Sequence, residues 1–364
     1  MSWVGFRLTL VVVMVTAVAA GRLPGDSHAM RRAGAGQTSR GEGDAALPAG
    51  EILVTRAKRA GNRYRTDLYA VRSDGSRLRL VARDAADAAA SRDGRTIAFV
   101  RAGAIWVMRR GASGLRQVTR PSFPKYADRD PSWSPDAKTL YVSRATDVGN
   151  GKTASIYAIR SDGRGLRRVT HASQDGGWHD EAACHEAPSV SPNGKTVVYQ
   201  LIGSCAHGDG YAIAASSSRG KPQKLGFRLA EPADAFDPTY ERASWSPTRM
   251  EIAYGVYDHD ECRTTQRLWL YTSSNDAAPH EVLSVETSVR AWQGCLPLRP
   301  AWSSDGSWIA FLQPTTWIML RPVVRLRPFE DYPRGDVWLV REDGTGLRRL
   351  TTTGDFIANA WLSS

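Results

Sequence analysis

The feature that most constrains this chain is an eleven-residue phrase written four times. RSDGRGLRRVT begins at Arg160, with near copies RSDGSRLRLVA at Arg72, RRGASGLRQVT at Arg109 and REDGTGLRRLT at Arg341. Each copy follows a short apolar run of β character: DLYAV, AIWVM, SIYAI or DVWLV. Three copies contain Asp-Gly, at 74–75, 162–163 and 343–344. Gly accepts positive φ and Asp hydrogen-bonds its own turn, so a strand, Asp-Gly and a returning strand predict a β-hairpin.

A second phrase alternates with the first. Its copies are ASRDGRTIAF from Ala90, WSPDAKTLYV from Trp133, VSPNGKTVVY from Val190, WSPTRMEIAY from Trp245, WSSDGSWIAF from Trp302 and a truncated WLSS from Trp361. The starts lie 43, 57, 55, 57 and 59 residues apart. Such a period, with two hairpins per unit and no helical pattern, predicts four-stranded propeller blades. Strand A leads into the Trp-Ser-Pro turn, strand B is the Ile-Ala-Phe run, strand C the Ile-Tyr run, and strand D ends in Leu-Arg-Arg-Val-Thr. Blades four and five carry SSSRGK and SSNDAA where the others have the Asp-Gly turn. Regular structure begins at EILVTR, residues 51–56, a B strand with no A strand before it, and ends in an A strand at 358–364. The expectation is an all-β, six-bladed β-propeller over residues 51–364, closed by the C-terminal strand completing the first blade. Closure removes the sheet edges that an open array would expose.

The WSPDG/IAF, IYxxxxDG and LRRLT series resembles the TolB-type (WD-like) propeller repeat of exported bacterial proteins, over nearly all of residues 51–364. The resemblance implies a propeller scaffold and export, and it transfers no individual functional residue. TolB itself carries an α/β domain ahead of its propeller, and segment 21–50 is too short to form one. Residues 1–20 have a secretory signal's layout, with Arg7 ahead of the apolar run LTLVVVMVTAVAA, so removal is expected and a retained membrane anchor is the alternative. Residues 21–50 are rich in Gly, Ala and Arg and read as a flexible linker. The expected location is extracytoplasmic: periplasmic, cell-surface or secreted.

In an up-down-up-down blade, the A–B and C–D turns share one face, and the B–C and D–A connections share the other. The arginines of the repeated phrase would rim the first face. The second face collects QDGGWHDEAACHE at 174–186, LAEPADAFDPTYE at 229–241 and YDHDEC at 257–262, which hold eleven Asp or Glu and no Lys or Arg. Loop insertions on one face are where repeat proteins place binding. The candidate binding-face residues are Trp178, His179, Asp180, His185, His207, Asp258, His259 and Asp260. Imidazoles beside carboxylates suit zinc, and carboxylates alone suit calcium, yet no HExxH, EF-hand or CxxC spacing is present, so no metal or other cofactor is assigned. Solvated polar loops are the plain reading of the same residues.

All four cysteines map to this face. The expected framework for an exported protein is Cys184–Cys205 and Cys262–Cys295, while four cysteines allow three pairings and a Cys/His metal site is the alternative. The recurring tryptophans Trp133, Trp245, Trp302 and Trp361 read as packing between blades rather than as a binding platform.

Enzyme motifs are absent from the sequence. GNGKT at 149–153 has Thr146 where a phosphate-binding loop needs Gly, and there is no Gly-x-Ser-x-Gly elbow. No catalytic residue is assigned. The function expected is a non-enzymatic, monomeric exported scaffold that binds a protein or cell-envelope polymer through the loop-rich face. The alternatives are a propeller hydrolase or lyase using a channel- or loop-bound metal on a carbohydrate or ester, and carbohydrate binding by Trp178, Tyr240, Trp292 and Trp317 without catalysis. The net charge of +11 would attract nucleic acid, but export removes the chain from it, and no nucleic-acid partner is expected.

Overall fold

The computed structural model describes residues 30–31, 47, 49–60, 63–122, 125–148, 151–172, 183–204, 209–230, 232, 238–258, 266–275, 277–287, 298–320 and 330–362. Strands β1 (Met30–Arg31), β2 (Glu51–Ala60), β3 (Arg63–Arg72) and β4 (Arg79–Ala82) come first. They are followed by β5 (Ala86–Ala90), β6 (Thr96–Arg101), β7 (Ala104–Arg109) and β8 (Arg116–Gln117). Next are β9 (Tyr126–Trp133), β10 (Thr139–Val148), β11 (Gly151–Arg160) and β12 (Arg167–Arg168). The middle of the chain gives β13 (Cys184–Val190), β14 (Thr196–Ser204), β15 (Asp209–Ser217) and β16 (Pro222–Gln223). Then come β17 (Pro238–Trp245), β18 (Glu251–Asp258), β19 (Gln266–Ser274) and β20 (His280–Thr287). The last are β21 (Ala301–Trp302), β22 (Trp308–Leu320), β23 (Glu330–Arg341), β24 (Arg348–Arg349) and β25 (Phe356–Leu362).

The fold is an all-β propeller, but the expectation of six blades is corrected. The described strands form four sheets: one of five strands, two of eight and one of four. The physical reason is that consecutive repeats hydrogen-bond to each other at single points. Ala154 of β11 pairs in parallel with Cys184 of β13, which joins β9–β12 to β13–β16. Gly335 of β23 pairs with Phe356 of β25, which joins β21–β24 to β25 and β2–β4. The C-terminal strand β25 pairs antiparallel with β2 from Glu51↔Leu362 to Arg56↔Phe356. The inner strands β25, β5, β9, β13, β17 and β21 contact one another in a closed cycle around a channel.

Local chemistry explains each hairpin. In the second phrase, Ser134 Oγ donates to Asp136 at 2.6 Å and accepts the Thr139 amide at 2.9 Å. Ser91, Ser191 and Ser303 make the same two bonds with Asp93 and Thr96, Asn193 and Thr196, and Asp305 and Trp308. In the first phrase, Asp74, Asp162 and Asp343 accept the amides two residues on, at 2.8–3.0 Å. The terminal threonines Thr119, Thr170 and Thr351 each accept a buried amide of the neighbouring strand, from Ile105, Ile156 and Val337, at 2.9 Å. Val118, Val169 and Leu350 ahead of them are buried in the core.

The turn glycines also fit one repeat against the next. A Cβ on Gly75 would lie 3.1 Å from the Leu350 carbonyl oxygen, one on Gly163 3.1 Å from that of Val118, and one on Gly344 2.5 Å from that of Val282. Each glycine has φ between +78° and +88°. The SSSRGK turn keeps the device without its aspartate: Gly220, at φ +94°, would place a Cβ 2.8 Å from the Val169 carbonyl oxygen. Trp133 and Trp302 donate their indole N–H to Ala89 O at 3.2 Å and Ser244 O at 2.9 Å, each in the inner strand of the preceding repeat. All four recurring tryptophans are buried, so they pack between repeats.

Substituting Gly344→Ala should therefore lower stability by about 2–3 kcal/mol through strain at positive φ and collision with backbone, and Gly163→Ala by somewhat less. Gly111 has nothing within 4 Å of its Cβ position. Gly111→Ala should stay within about 0.5 kcal/mol of the parent, and urea denaturation midpoints of the three variants check the order.

Candidate functional site: the central channel and the loop-bearing end

The channel is lined by one recurring position. In β5, β9, β13 and β17 the pairing with the following strand is broken by a register shift, and the residue at the shift has positive φ: Asp87 (44°), Asp130 (47°), Ala187 (48°) and Arg242 (37°). Arg299, just ahead of β21, has φ 50°. A β-bulge re-aims a side chain, and here it turns Asp87, Asp130, Ala187 and Arg242 into a cavity of about 310 Å³ that Arg299 also lines. Each lies three residues before the start of a copy of the second phrase, and Ala358 holds the same place before Trp361. Read around the ring, the position is Asp, Asp, Ala, Arg, Arg, Ala. The signal lies three residues upstream of each copy of the second phrase, where no single copy is unusual on its own.

The charges pair across the channel. Arg242 Nη1 donates to Asp130 Oδ1 at 3.0 Å, bridging over Ala187, whose small side chain intervenes in the ring order. Arg299 Nη1 donates to Asp87 Oδ1 at 3.5 Å. These four side chains are only 10–23% exposed. Burial pushes the Asp87 carboxyl above the usual carboxylate range, and the neighbouring charge of Asp130 pushes it further. Burial acts the same way on Asp130, but Arg242, Arg129 and Arg299 outweigh it and hold that carboxyl low. Burial works against the Arg242 charge, yet the carboxylates of Asp130 and Asp87 raise its pKa.

Removing one partner of a buried pair leaves the other charge uncompensated. Arg242→Ala should cost about 3–5 kcal/mol, and the neutral pair Asp130→Asn with Arg242→Gln much less, as read by thermal unfolding of both. Equal losses would mean that charge pairing is not what matters there.

The two ends of the ring differ. The A–B and C–D turns meet at one end, where the amides of Arg110, Ser161 and Ser218 donate to the carbonyls of Arg95, Lys138 and Lys195 at 2.8–2.9 Å. Many phrase arginines bond within the ring: Arg79 clasps Glu51 with two bonds, Arg167 reaches Ser218 O, and Arg349 joins Asp336 and Thr351 O.

Of the candidate binding-face residues, Trp178, His179, Asp180, His207, His259 and Asp260 lie outside the described residues, as do Cys205, Cys262 and Cys295. Asp258 ends β18, paired with Pro238. Cys184 is disulfide-bonded. His185 is wholly buried in β13, with its ring 4.7 Å from that of Tyr199. Burial, with Arg168 and His171 nearby, lowers its pKa to about 4. Among the described residues no group of three His, Cys, Asp or Glu is placed to hold a metal.

Because the folded pKa of His185 lies below its unfolded value of about 6.5, the unfolded chain binds more protons between pH 6.5 and 4. Its contribution is present above pH 6.5 and lost as pH falls toward 4, by up to about 3 kcal/mol. Replacing His185→Gln should flatten that part of the stability–pH curve in urea titrations at pH 4–7; an unchanged slope would contradict the assignment.

No known protein-family profile matches the chain, and no curated protein sequence matches it. Solved structures do. A protein assigned as TolB from Agrobacterium tumefaciens superposes with a TM-score of 0.52 at 14% identity, covering 86% of this chain and 92% of the other. Hydrazine synthase from Kuenenia stuttgartiensis gives 0.55 at 11% identity, covering 87% of this chain and 47% of that one. At such identity these likenesses establish the fold class, a β-propeller.

Proposed function

We propose that this protein is an exported, non-enzymatic scaffold of the TolB propeller type that binds a protein or cell-envelope polymer through the end of the ring opposite the arginine-rich turns. The observation supporting this reading is the joining of A–B and C–D turns at one end; in an up-down-up-down repeat the acidic segments 174–186, 229–241 and 257–262 would then belong to the other. An acidic, loop-built surface on a rigid ring is suited to recognition. The Cys184 disulfide would fix one of these loops, with Cys205 as the proposed partner. Cys184 pairs in the ladder with Ile202, three residues short of Cys205, and non-reducing peptide mapping should recover the 184–205 link.

Chemical crosslinking on intact cells, followed by purification of the full chain, should recover a discrete envelope partner. The variant with Asp180→Asn, Glu181→Gln, Asp260→Asn and Glu261→Gln should lose it while keeping its thermal midpoint. Recovery of the same partners by this variant would count against the loop surface. Stoichiometric zinc or calcium in the purified protein, lost on replacing His179 and His259, would instead support the metal-dependent hydrolase or lyase alternative.

A further inference from the structure

Propellers leave only short outer edges, and one repeat departs from that rule. The outer strands β4, β8, β12, β16 and β24 are four residues long or shorter, whereas β20 has eight. One side chain accounts for the difference. The Val282 carbonyl oxygen meets Gly344 as the Val169 oxygen meets Gly220, so Leu283 stands where three other repeats have Thr119, Thr170 and Thr351. Those hydroxyls accept the amides of Ile105, Ile156 and Val337, and pairing of the outer strand has ended just before them, at Gln117, Arg168 and Arg349. Leucine has no acceptor to offer. After a register shift the β19–β20 ladder instead resumes at Leu270↔Leu283 and runs on to Gln266↔Thr287.

The longer strand presents an edge. Every second residue of an outer strand turns its N–H and C=O away from the sheet, a template for a further strand. Lysine and proline blunt such edges elsewhere, and β20 contains neither, while its Val282, Leu283 and Val285 are buried. The chain itself fills the place: β1 pairs antiparallel with β20 through Met30↔Val285 and Arg31↔Ser284. Among the described residues no other outer strand is paired on its far side. The 19 residues between Arg31 and Glu51 reach up to about 65 Å when extended, and only the repeat β21–β24 separates β20 from the repeat that holds β2. We infer that the outer edge of β20 is a strand-addition site whose occupant is the chain's own N-terminal segment through Met30–Arg31. Recognition of this kind is made by main-chain hydrogen bonds, so it selects an extended backbone more than any one side chain. It ties the N-terminal segment to β17–β20 as well as to Glu51. This edge is separate from the loop surface proposed above.

Hydrogen exchange of the full chain tests the inference, together with the double variant Met30→Pro and Arg31→Pro, which removes two backbone donors outside the ring. In the parent, the amides of Met30–Arg31 should exchange at least about tenfold more slowly than in the free peptide DSHAMRRAGA, residues 26–35. The variant should speed exchange of the outward-facing amides of β20 by a similar factor. A short flexible tether supplies an effective concentration in the millimolar range, so an edge filled in cis requires the peptide to bind the vacated edge of the variant with a Kd below about 1 mM. Fluorescence anisotropy should show that binding, with the parent at least about tenfold weaker because its edge is occupied. The same peptide carrying Met30→Pro and Arg31→Pro should not bind. Exchange at Met30–Arg31 as fast as in the free peptide, β20 exchange unchanged by the prolines, failure of the peptide to bind the variant, or protection lost on dilution and so donated by a second copy would each overturn it.

Discussion

The structure depends on one antiparallel pairing, that of Glu51–Ala60 with Phe356–Leu362, made by strands some 300 residues apart in the chain. It places the last strand inside the first repeat and removes the sheet edges of an open array. The close contacts between repeats follow from it. Backbone carbonyls sit against the turn glycines of the next repeat at four steps, including that from Leu350 to Gly75 across the chain ends, because the ring admits no gap there.

Closure also makes the channel. Inner strands that met no partner across the ring could not bring Asp130 to Arg242 or Asp87 to Arg299, since these residues come from separate repeats. The register shifts turn Asp87, Asp130 and Arg242 inward, Arg299 joins them from the residues ahead of β21, and the low exposure of these side chains makes loss of either partner expensive. The arginines of the repeated phrase serve a different purpose. Several are spent on the ring itself, as Arg79 on Glu51 and Arg349 on Asp336, so the net charge of +11 overstates the free basic surface at that end.

The propeller architecture, the two hairpins of each repeat and the packing role of the tryptophans were legible in the sequence because each rests on local chemistry: an Asp-Gly turn, a Ser-Pro-Asp turn, a buried indole. The sheet count was not. Whether two repeats merge into one sheet is decided by single bridges such as Ala154↔Cys184 and Gly335↔Phe356, which reflect how closely neighbours approach and leave no pattern in either strand. The SSSRGK segment reads as a lost Asp-Gly turn, yet Gly220 keeps the fit against Val169, because the packing requirement is for the glycine and not the aspartate. His185, singled out from its acidic surroundings in the chain, alternates inward in β13 and ends in the core, where its neighbours are Tyr199 and the strands of the sheet. The channel ring was readable but unread, since its meaning lies in comparing one position across all copies.

Ring closure is tested most directly by native-state hydrogen exchange of the backbone amides in Phe356–Leu362. If the C-terminal strand is an integral part of the first repeat, its hydrogen-bonded amides exchange with the same opening free energy as those of Glu51–Ala60, and both approach the global unfolding value. Exchange of the C-terminal strand by a local opening several kcal/mol below that of its partner would contradict the account.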